Sequence, residues 1–314
     1  MYRIRNATDN DLNVIRLENE NKDSFVSIVP EIGANVNEIC LERKGKKYSI
    51  LDGNHSRKQF EGRRMFNNAH LVPFPNRIRG GAYRVNGKEY MLVKNYQHEG
   101  NAAHGFIYNR PFQIISRKEE KDFAEIILHH SYNGGGRGYP FPFEITYTYS
   151  LDARDGFVCS CVVTNSGDET MPFGAGWHPY FTFGQDVRHL QLQIPKVFHL
   201  PLDNNKIPTG EEHPEKRFEH FREIGDLELD TLYRFDDNSD KHIVRLFNAQ
   251  EECTIQLWME ADSFKFCQLY IPPDRRSIAV EPMTCAVDAF NNGKGLVFIE
   301  PGKTFKGSFG VQLK

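Results

Sequence analysis

His178 lies in a stiff, apolar segment, which is where a protein holds a group that transfers protons. It occurs in Gly176–Phe181 (GWHPYF), between a tryptophan and a proline. Pro179 fixes its own φ and favours an extended backbone at the preceding residue, so the imidazole is held on a rigid aromatic floor. Because proton transfer needs such placement, His178 is a candidate proton donor. The alternative is an aromatic core cluster that contains one structural histidine.

A glutamate follows an apolar run near the C-terminus. Ser277–Val280 predicts a strand that leads directly into Glu281, and Pro282 predicts the end of that strand. A carboxylate pinned at the mouth of a strand is well placed to act as a general base. The alternative is a solvent-exposed glutamate at a strand end. The polar residues of segment 288–293 are typical of turns and helix caps.

Two further segments can bring polar side chains to the same ligand. Pro73–Gly81 (PFPNRIRGG) has a proline-stiffened approach, so Arg77 occupies a constrained loop and its guanidinium fork can grip neighbouring hydroxyls. The alternative is an arginine that pairs with a carboxylate at a loop corner. His104, in Asn101–Phe106, is flanked by small residues that leave room for a ligand. Its alternative is a structural histidine.

Short β-branched and alternating segments predict the strands that must carry these residues. Ala82–Val93 contains Asn86-Gly87 between apolar stretches, which is typical of a tight hairpin. One helical turn is predicted at Asp288–Asn292 and a weak helix at Asp9–Leu17. The other predicted strands are Ser24–Pro30, Asn35–Leu41, Glu125–Ser131, Glu144–Leu151, Phe157–Thr164, Leu190–Ile194, His242–Phe247, Cys253–Met259, Phe264–Ile271, Ser277–Val280, Leu296–Ile299 and Ser308–Leu313.

Many short strands with turn signals between them predict an all-β protein, a large antiparallel β-sandwich. With 314 residues and 39% hydrophobic content, the chain can form one such domain over residues 1–314. Polar connectors are expected at Gly53–Arg64 and Asp203–Arg222. The second is long, charged and contains proline, so it should wrap the surface.

Composition excludes several classes of protein. The net charge of -3 gives no basic face, so a nucleic-acid partner is not expected. No apolar run approaches the roughly twenty residues of a membrane span. The first ten residues lack the apolar core of a secretion signal. The six cysteines form no C-x-x-C pair, and Cys159 and Cys161 would share one side of a strand. We therefore expect reduced thiols and a cytoplasmic protein.

Taken together, these segments resemble the aldose 1-epimerase (galactose mutarotase) family. The likeness is specific as a set, because its pieces occur in the same order over most of the chain and no single piece would suffice. His-Pro-Tyr-Phe is the most recognisable piece. The similar segments are Asn76-Arg77-Ile78, Gly80-Gly81 with Tyr83, Asn86-Gly87 with Tyr90, His104-Gly105, His178-Pro179-Tyr180-Phe181, Leu229-Asp230 with Tyr233, and Glu281 with Asp288-Ala-Phe-Asn291.

The resemblance implies a supersandwich that binds a small-molecule sugar in a groove on one sheet, with no metal and no organic cofactor. It implies an isomerase in which His178 is the general acid and Glu281 the general base. A nearby carboxylate is expected to keep His178 protonated at neutral pH. We expect a monomer or homodimer. The sugar-binding residues that the resemblance implies are Asn76, Arg77, His104 and Asp230.

The chain also departs from the family pattern. Gly105-Phe106 and Pro282-Met283 stand where galactose-specific members usually have Gly-Gly and Thr-Gln. The chain therefore resembles a divergent branch, and its sugar is left open. A hexose 6-phosphate is one alternative, and the basic residues that could serve it are Arg64, Arg79 and Arg137.

Two readings from other classes compete with the isomerase. One is a non-catalytic sugar-binding protein on the same fold, although binding alone needs neither an acid nor a base. The other is a metal-dependent β-sandwich enzyme that uses His104, His178 and Glu281 as two histidines and one carboxylate. The usual His-x-His pair of such enzymes is missing from the sequence.

Overall fold

Strands make up most of the regular structure. The computed structural model describes residues 1–21, 23–62, 66–136, 138–154 and 156–314. The helices in this part of the chain are α1, Arg57–Glu61, and α2, Ala289–Asn292, with 3₁₀ turns at Arg79–Gly81 and Val187–His189. The strands described there, numbered β1 to β28 in order, are Tyr2–Asp9, Leu12–Asn19, Phe25–Val29, Asn35–Arg43, Lys46–Ser49, His70–Leu71, Arg77–Ile78, Ala82–Val85, Lys88–Met91, Ala102–Ala103, Gln113–Glu119, Phe123–Tyr132, Phe143–Asp152, Gly156–Asn165, Met171–Phe173, Gly176–Trp177, Tyr180–Phe181, Leu190–Gln193, Val197–Leu200, His213–Glu215, Arg222–Glu223, Asp230–Phe235, Lys241–Asn248, Cys253–Glu260, Phe266–Tyr270, Ile278–Met283, Val297–Ile299 and Thr304–Leu313.

Two large antiparallel sheets form the body of the protein. The order of the nine-stranded sheet is β11-β12-β13-β14-β28-β24-β23-β18-β21. The eight-stranded sheet runs β20-β19-β22-β25-β26-β16-β6, and β17 also pairs with β26. The N-terminal strands β1 to β5 form a meander, and the pairs β7–β10, β8–β9 and β15–β27 complete the described sheets. The prediction of an all-β antiparallel sandwich is confirmed.

Alternating side chains explain why the nine-stranded sheet has one buried face. Along β13, residues alternate between buried and half-buried, so that Tyr147 and Tyr149 point inward. On β14, Cys159 and Cys161 share the inward side as predicted, and both are free thiols. Trp177 of β16 stacks on an aromatic ring of β28 at 4.9 Å between centroids, which joins the two large sheets. Burying a ring of this size contributes roughly 2–3 kcal/mol.

The local predictions fared unevenly. The hairpin at Asn86-Gly87 is confirmed, with both residues at the positive φ of a tight turn (51° and 74°). The helical turn near Asp288 is confirmed as α2. The weak helix at Asp9–Leu17 is wrong, because this segment is a turn followed by β2, which pairs with both β1 and β3. Pairing on two sides outweighs a weak local preference for helix.

Of the two polar connectors, the first contains α1 and its last two residues, 63 and 64, lie outside the described residues. The second includes the short strand β20 and ends at the first residue of β21, and it is largely exposed, in agreement with a surface path. Within the described residues, no helix is long and apolar enough to cross a membrane.

Candidate active site

Glu281 lies inside strand β26 and not at its end. The side chain is 2% exposed, and its cross-strand partner on β25 is Gln268. The prediction that Pro282 ends the strand is wrong, since β26 continues to Met283. A proline is tolerated here because β26 faces the gap between β16 and β17, where the ladder is already interrupted.

His178 occupies that gap between β16 and β17. Its backbone N–H donates to the carbonyl of Ala69 at 3.0 Å, and its ring stacks on Tyr180 with centroids 4.8 Å apart. This fixed backbone brings Nε2 of His178 to 3.3 Å from Oε1 of Glu281. The histidine side chain is only 7% exposed, so the imidazole and the carboxyl group meet away from bulk water.

Asn68 secures this segment through both its backbone and its side chain. The backbone N–H of Asn68 donates to the carbonyl of His178 at 3.0 Å. Its Oδ1 accepts from the N–H of Tyr180, and its carbonyl accepts from Nε1 of Trp177, both at 3.1 Å. Asn68 adopts a φ of 58°, which asparagine tolerates better than most residues. No pattern in the sequence points to this residue.

Burial sets the protonation of the central pair. Burial raises the pKa of Glu281 well above its usual 4.5; Asp230 adds to this effect and Arg77 opposes it. Burial lowers the pKa of His178 to about 3. The expectation that the carboxylate keeps His178 protonated is therefore wrong for the free protein. Because desolvation disfavours both charges, burial favours the neutral forms, a protonated carboxyl at Glu281 and an uncharged imidazole at His178.

Arg77 is held by two acceptors. Its Nε and Nη2 donate to the two carboxylate oxygens of Glu99 at 2.5 and 2.9 Å, and Nη1 donates to Oδ1 of Asn76 at 3.0 Å. The guanidinium also lies 5.3 Å from the ring centroid of Tyr96. The alternative reading, that Arg77 pairs with a carboxylate, is confirmed, and that pair fixes the orientation of its guanidinium. Contact of Arg77 with sugar hydroxyls stays a prediction.

His104 lies on a strained turn beside these residues. Its backbone N–H donates to the carbonyl of Asn76 at 2.8 Å, and its φ is 61°. The His104 ring is 5.4 Å from that of His178 and 4.6 Å from that of Phe66. Burial, reinforced by His178 and Arg77, lowers its pKa well below 6.5. Among the described residues, Nδ1 of His104 has no hydrogen-bond partner, so a ligand could supply one.

Asp230, at the start of β22, is linked to the central pair through Gln268. Nε2 of Gln268 donates to Oδ1 of Asp230 at 2.8 Å, and Nζ of Lys206 lies 2.9 Å from Oδ2. Gln268 is 2% exposed, and its Oε1 lacks a partner within the described structure, as does Oε2 of Glu281. Two buried acceptors on neighbouring strands favour a ligand that brings hydroxyl donors.

The geometry thus brings all six predicted site residues together. Contacts run from Asp230 through Gln268 to Glu281, then to His178, to His104, and finally to the Asn76–Arg77 turn. Sequence reasoning missed Asn68, Glu99, Lys206 and Gln268. A glutamine among the otherwise apolar residues of β25 (FCQLY) was the one signal that could have been read.

The hexose 6-phosphate and metal-dependent alternatives have less support among the described residues. Arg79 donates to Asp203 at 3.0 Å and is thereby already paired. Arg64 and Arg137, the other residues considered for a sugar phosphate, lie outside the described residues. Across the part of the chain that the structure describes, no group of three His, Cys, Asp or Glu side chains is arranged to hold a metal ion.

Comparison with solved structures defines the class of fold. A galactose mutarotase-like protein from Clostridium acetobutylicum superposes over 100% of this chain and 98% of its own, with a TM-score of 0.86 at 20% identity. A galactose 1-epimerase from Lactobacillus acidophilus gives a TM-score of 0.81 at 17% identity, over 100% of this chain and 98% of its own. The chain therefore has the galactose mutarotase-like β-sandwich fold.

The sequence comparison identifies the family. The aldose 1-epimerase family profile matches residues 14–312, so the chain belongs to the aldose 1-epimerase family. It is 30% identical to the uncharacterised Escherichia coli protein YihR over 250 residues, which is 77% of each chain. It is 26% identical to Levilactobacillus brevis maltose epimerase over 58% of this chain and 54% of that protein. For human galactose mutarotase the identity is 26%, over 55% of this chain and 50% of that protein.

Proposed function

We propose that the protein is a mutarotase that interconverts the α and β anomers of an aldose, with Glu281 as the base and His178 as the acid. One observation carries the proposal: the carboxyl of Glu281 and the imidazole of His178 meet at 3.3 Å in a buried position. A hemiacetal presents two oxygens on one carbon, the C1 hydroxyl and the ring oxygen. A proton acceptor and a proton donor that lie side by side match these two oxygens.

The reaction begins with a proton shift inside the pair. When a sugar enters, its hydroxyls supply the hydrogen bonds that Oε2 of Glu281 lacks, which favours the charged carboxylate. Arg77 acts in the same direction, because it opposes the rise in the pKa of Glu281. The proton then passes to Nε2 of His178. The total number of protons in the site does not change.

Ring opening then uses both groups together. Glu281 removes the proton of the C1 hydroxyl, while His178 protonates the ring oxygen and the bond from C1 to that oxygen breaks. This leaves an open-chain aldehyde and a free hydroxyl at the former ring position. The bond between C1 and C2 rotates, and reclosure on the other face returns each proton to its donor. Each proton transfer accelerates the reaction about 10²–10⁴-fold.

The surrounding residues would hold the rest of the sugar. Arg77 and His104 offer donors next to the central pair, while Asp230 and Gln268 offer acceptors on the neighbouring strands. Asn76 orients Arg77 through its Oδ1. This mixture of neutral and mutually paired groups suits an uncharged sugar. The names of the relatives, galactose mutarotase and maltose epimerase, point to a free hexose or to the reducing end of a disaccharide.

The test is anomer exchange measured by NMR on a panel of free aldoses, disaccharides and hexose 6-phosphates. We expect the wild-type protein to accelerate exchange of at least one neutral aldose. The variants Glu281→Gln and His178→Asn should abolish that exchange while remaining folded and still binding the sugar. A protein that binds a sugar without accelerating exchange would be a non-catalytic binder. Full activity in either folded variant would remove that residue from the mechanism.

A further inference from the structure

Lys206 reaches the candidate site from a turn outside the sheets. The turn, residues 203–207, is closed by Asp203, whose Oδ1 accepts from the backbone N–H groups of Asn205 and Ile207 at 2.8 and 3.0 Å. Ile207 is 2% exposed and packs in a hydrophobic cluster that includes Leu232 of β22. The backbone position of Lys206 is therefore fixed by its neighbours and not by its own side chain.

Two contacts join this turn to loops that carry other residues of the site. Nη2 of Arg79 donates to Asp203 at 3.0 Å, and Nδ2 of Asn101 donates to the carbonyl of Asn205 at 3.4 Å. Lys206 has a φ of 60°, in the left-handed region that is unfavourable for a lysine. Such a conformation persists where the surrounding structure imposes it, and functional sites are where such residues concentrate.

The ammonium of Lys206 and the carboxylate of Asp230 form a donor next to an acceptor on the solvent-facing side of the site. They lie 2.9 Å apart, with side chains 43% and 31% exposed. A pair this exposed adds little stability, which does not account for a strained lysine. An ammonium has three N–H donors, and a carboxylate has about four acceptor positions. Both groups therefore keep capacity for a ligand.

The sheet sets how far this pair lies from the proton-transfer groups. Asp230 is on β22 and Glu281 on β26, with β25 between them. Asp230 pairs with Tyr270 and Glu281 pairs with Gln268, so the two residues are offset by two positions along the strands as well as by two strand spacings, roughly 12 Å in all. A pyranose whose C1 lies at Glu281 would extend across β25 toward β22. Its hydroxyls farthest from C1 would then meet Lys206 and Asp230.

We propose that Lys206 is a specificity-determining residue that, with Asp230, binds two neighbouring hydroxyls on the side of the sugar remote from C1. One hydroxyl donates to the carboxylate, and the other accepts from the ammonium. The inference rests on the mutarotase function proposed above. It predicts that sugars are selected by hydroxyl pattern at this end of the ring.

The test uses Lys206→Met, which keeps the aliphatic stem, and Lys206→Asn, which suits the positive φ. In both variants KM for the best aldose should rise roughly tenfold, as expected for one lost hydrogen bond to a charged group, with kcat within about twofold. The matched control is Lys196→Met, which removes a similar ion pair, to Asp236 at 2.7 Å, and should leave KM unchanged.

A panel of monodeoxy analogues separates recognition from structural damage. The kcat/KM of the wild type should fall on the analogue that lacks the hydroxyl bound by Lys206. On that analogue, Lys206→Met should have the same kcat/KM as wild type. An equal loss on every analogue, or an unchanged KM, would overturn the inference. Sugar affinity measured by NMR titration distinguishes its failure from that of the enzyme function. Binding weakened in Lys206→Met without any exchange in wild type would refute only the enzyme; no sugar binding would refute both.

Discussion

Replacing Glu281 with glutamine should stabilise the protein at neutral pH while abolishing the proposed reaction. The pKa of Glu281 is raised well above 4.5, first by burial and then by Asp230. In the unfolded chain this glutamate returns to an ordinary pKa. Between the two values the folded protein retains a proton that the unfolded chain has released, so stability falls as the pH rises. Glutamine is neutral at every pH and removes this dependence.

The size of the effect follows from proton linkage. For each pH unit between the unfolded and folded pKa values of Glu281, wild type loses about 1.4 kcal/mol relative to the variant. The difference should be constant below pH 4.5 and should grow above it. His178, with its pKa lowered from 6.5 to about 3, contributes stability that is complete above pH 6.5 and is lost on acidification. Because wild type and Glu281→Gln share this pH dependence from His178, it cancels in the difference between their stabilities.

Urea denaturation of both proteins at about pH 5, 6 and 7 measures the effect. The stability difference should increase by about 1.4 kcal/mol per pH unit, until the pH reaches the folded-state pKa of Glu281. Glu300→Gln is the control, because Glu300 also precedes a proline but is exposed, and its substitution should show no such growth. A difference for Glu281→Gln that is equal at all three pH values would mean that Glu281 is ionised in the folded protein.

The remaining predictions concern the turns that support the site. Gly105→Ala should destabilise the fold by about 3 kcal/mol or more, since its Cβ would lie 2.0 Å from the Val72 carbonyl oxygen. Gly87→Ala, at a similar φ but in open space, should cost only about 1 kcal/mol of stability. Thermal denaturation measures both variants, and an equal loss of stability in Gly105→Ala and Gly87→Ala would contradict the packing argument. Asn68→Gly keeps the positive φ but loses the bond to Tyr180, so kcat should fall more than KM rises. A change in KM alone would refute a positioning role for Asn68.

The candidate site residues that could be predicted from the sequence are those whose immediate neighbours restrict the backbone. His178 stands before a proline, and Glu281 follows an apolar strand, so each could be proposed from its immediate neighbours. Gln268 enters the site only because β25 pairs with β26 in one particular register, and register is a property of the folded sheet. Glu99 reaches Arg77 from a loop twenty-two positions away, with no pattern that announces the contact.

Other predictions failed because a local argument omitted the environment. The protonation of His178 was inferred from the charge of a neighbouring carboxylate. Burial outweighs that attraction, because it disfavours the charged form of the imidazole and of the carboxyl alike. The strand end at Pro282 was inferred from the missing N–H of proline, but the neighbouring strands leave that position unpaired anyway. Long strands with alternating burial, such as β13 and β14, were predicted because their alternating sequence pattern is visible in the chain. Strands β1, β11 and β22 were not predicted.

The residues around the candidate site divide between two kinds of backbone. Glu281 and Gln268 stand on central strands, whereas Asn76, His104 and Lys206 occupy turns with φ of 54–61°. A turn can exchange its residues among Asn, Asp and Gly without disturbing a sheet. Under the proposed function, sugar preference could therefore diverge among relatives while the proposed proton transfer stayed the same. A combinatorial library confined to these turns would test whether sugar preference can be changed while the proposed proton transfer is kept.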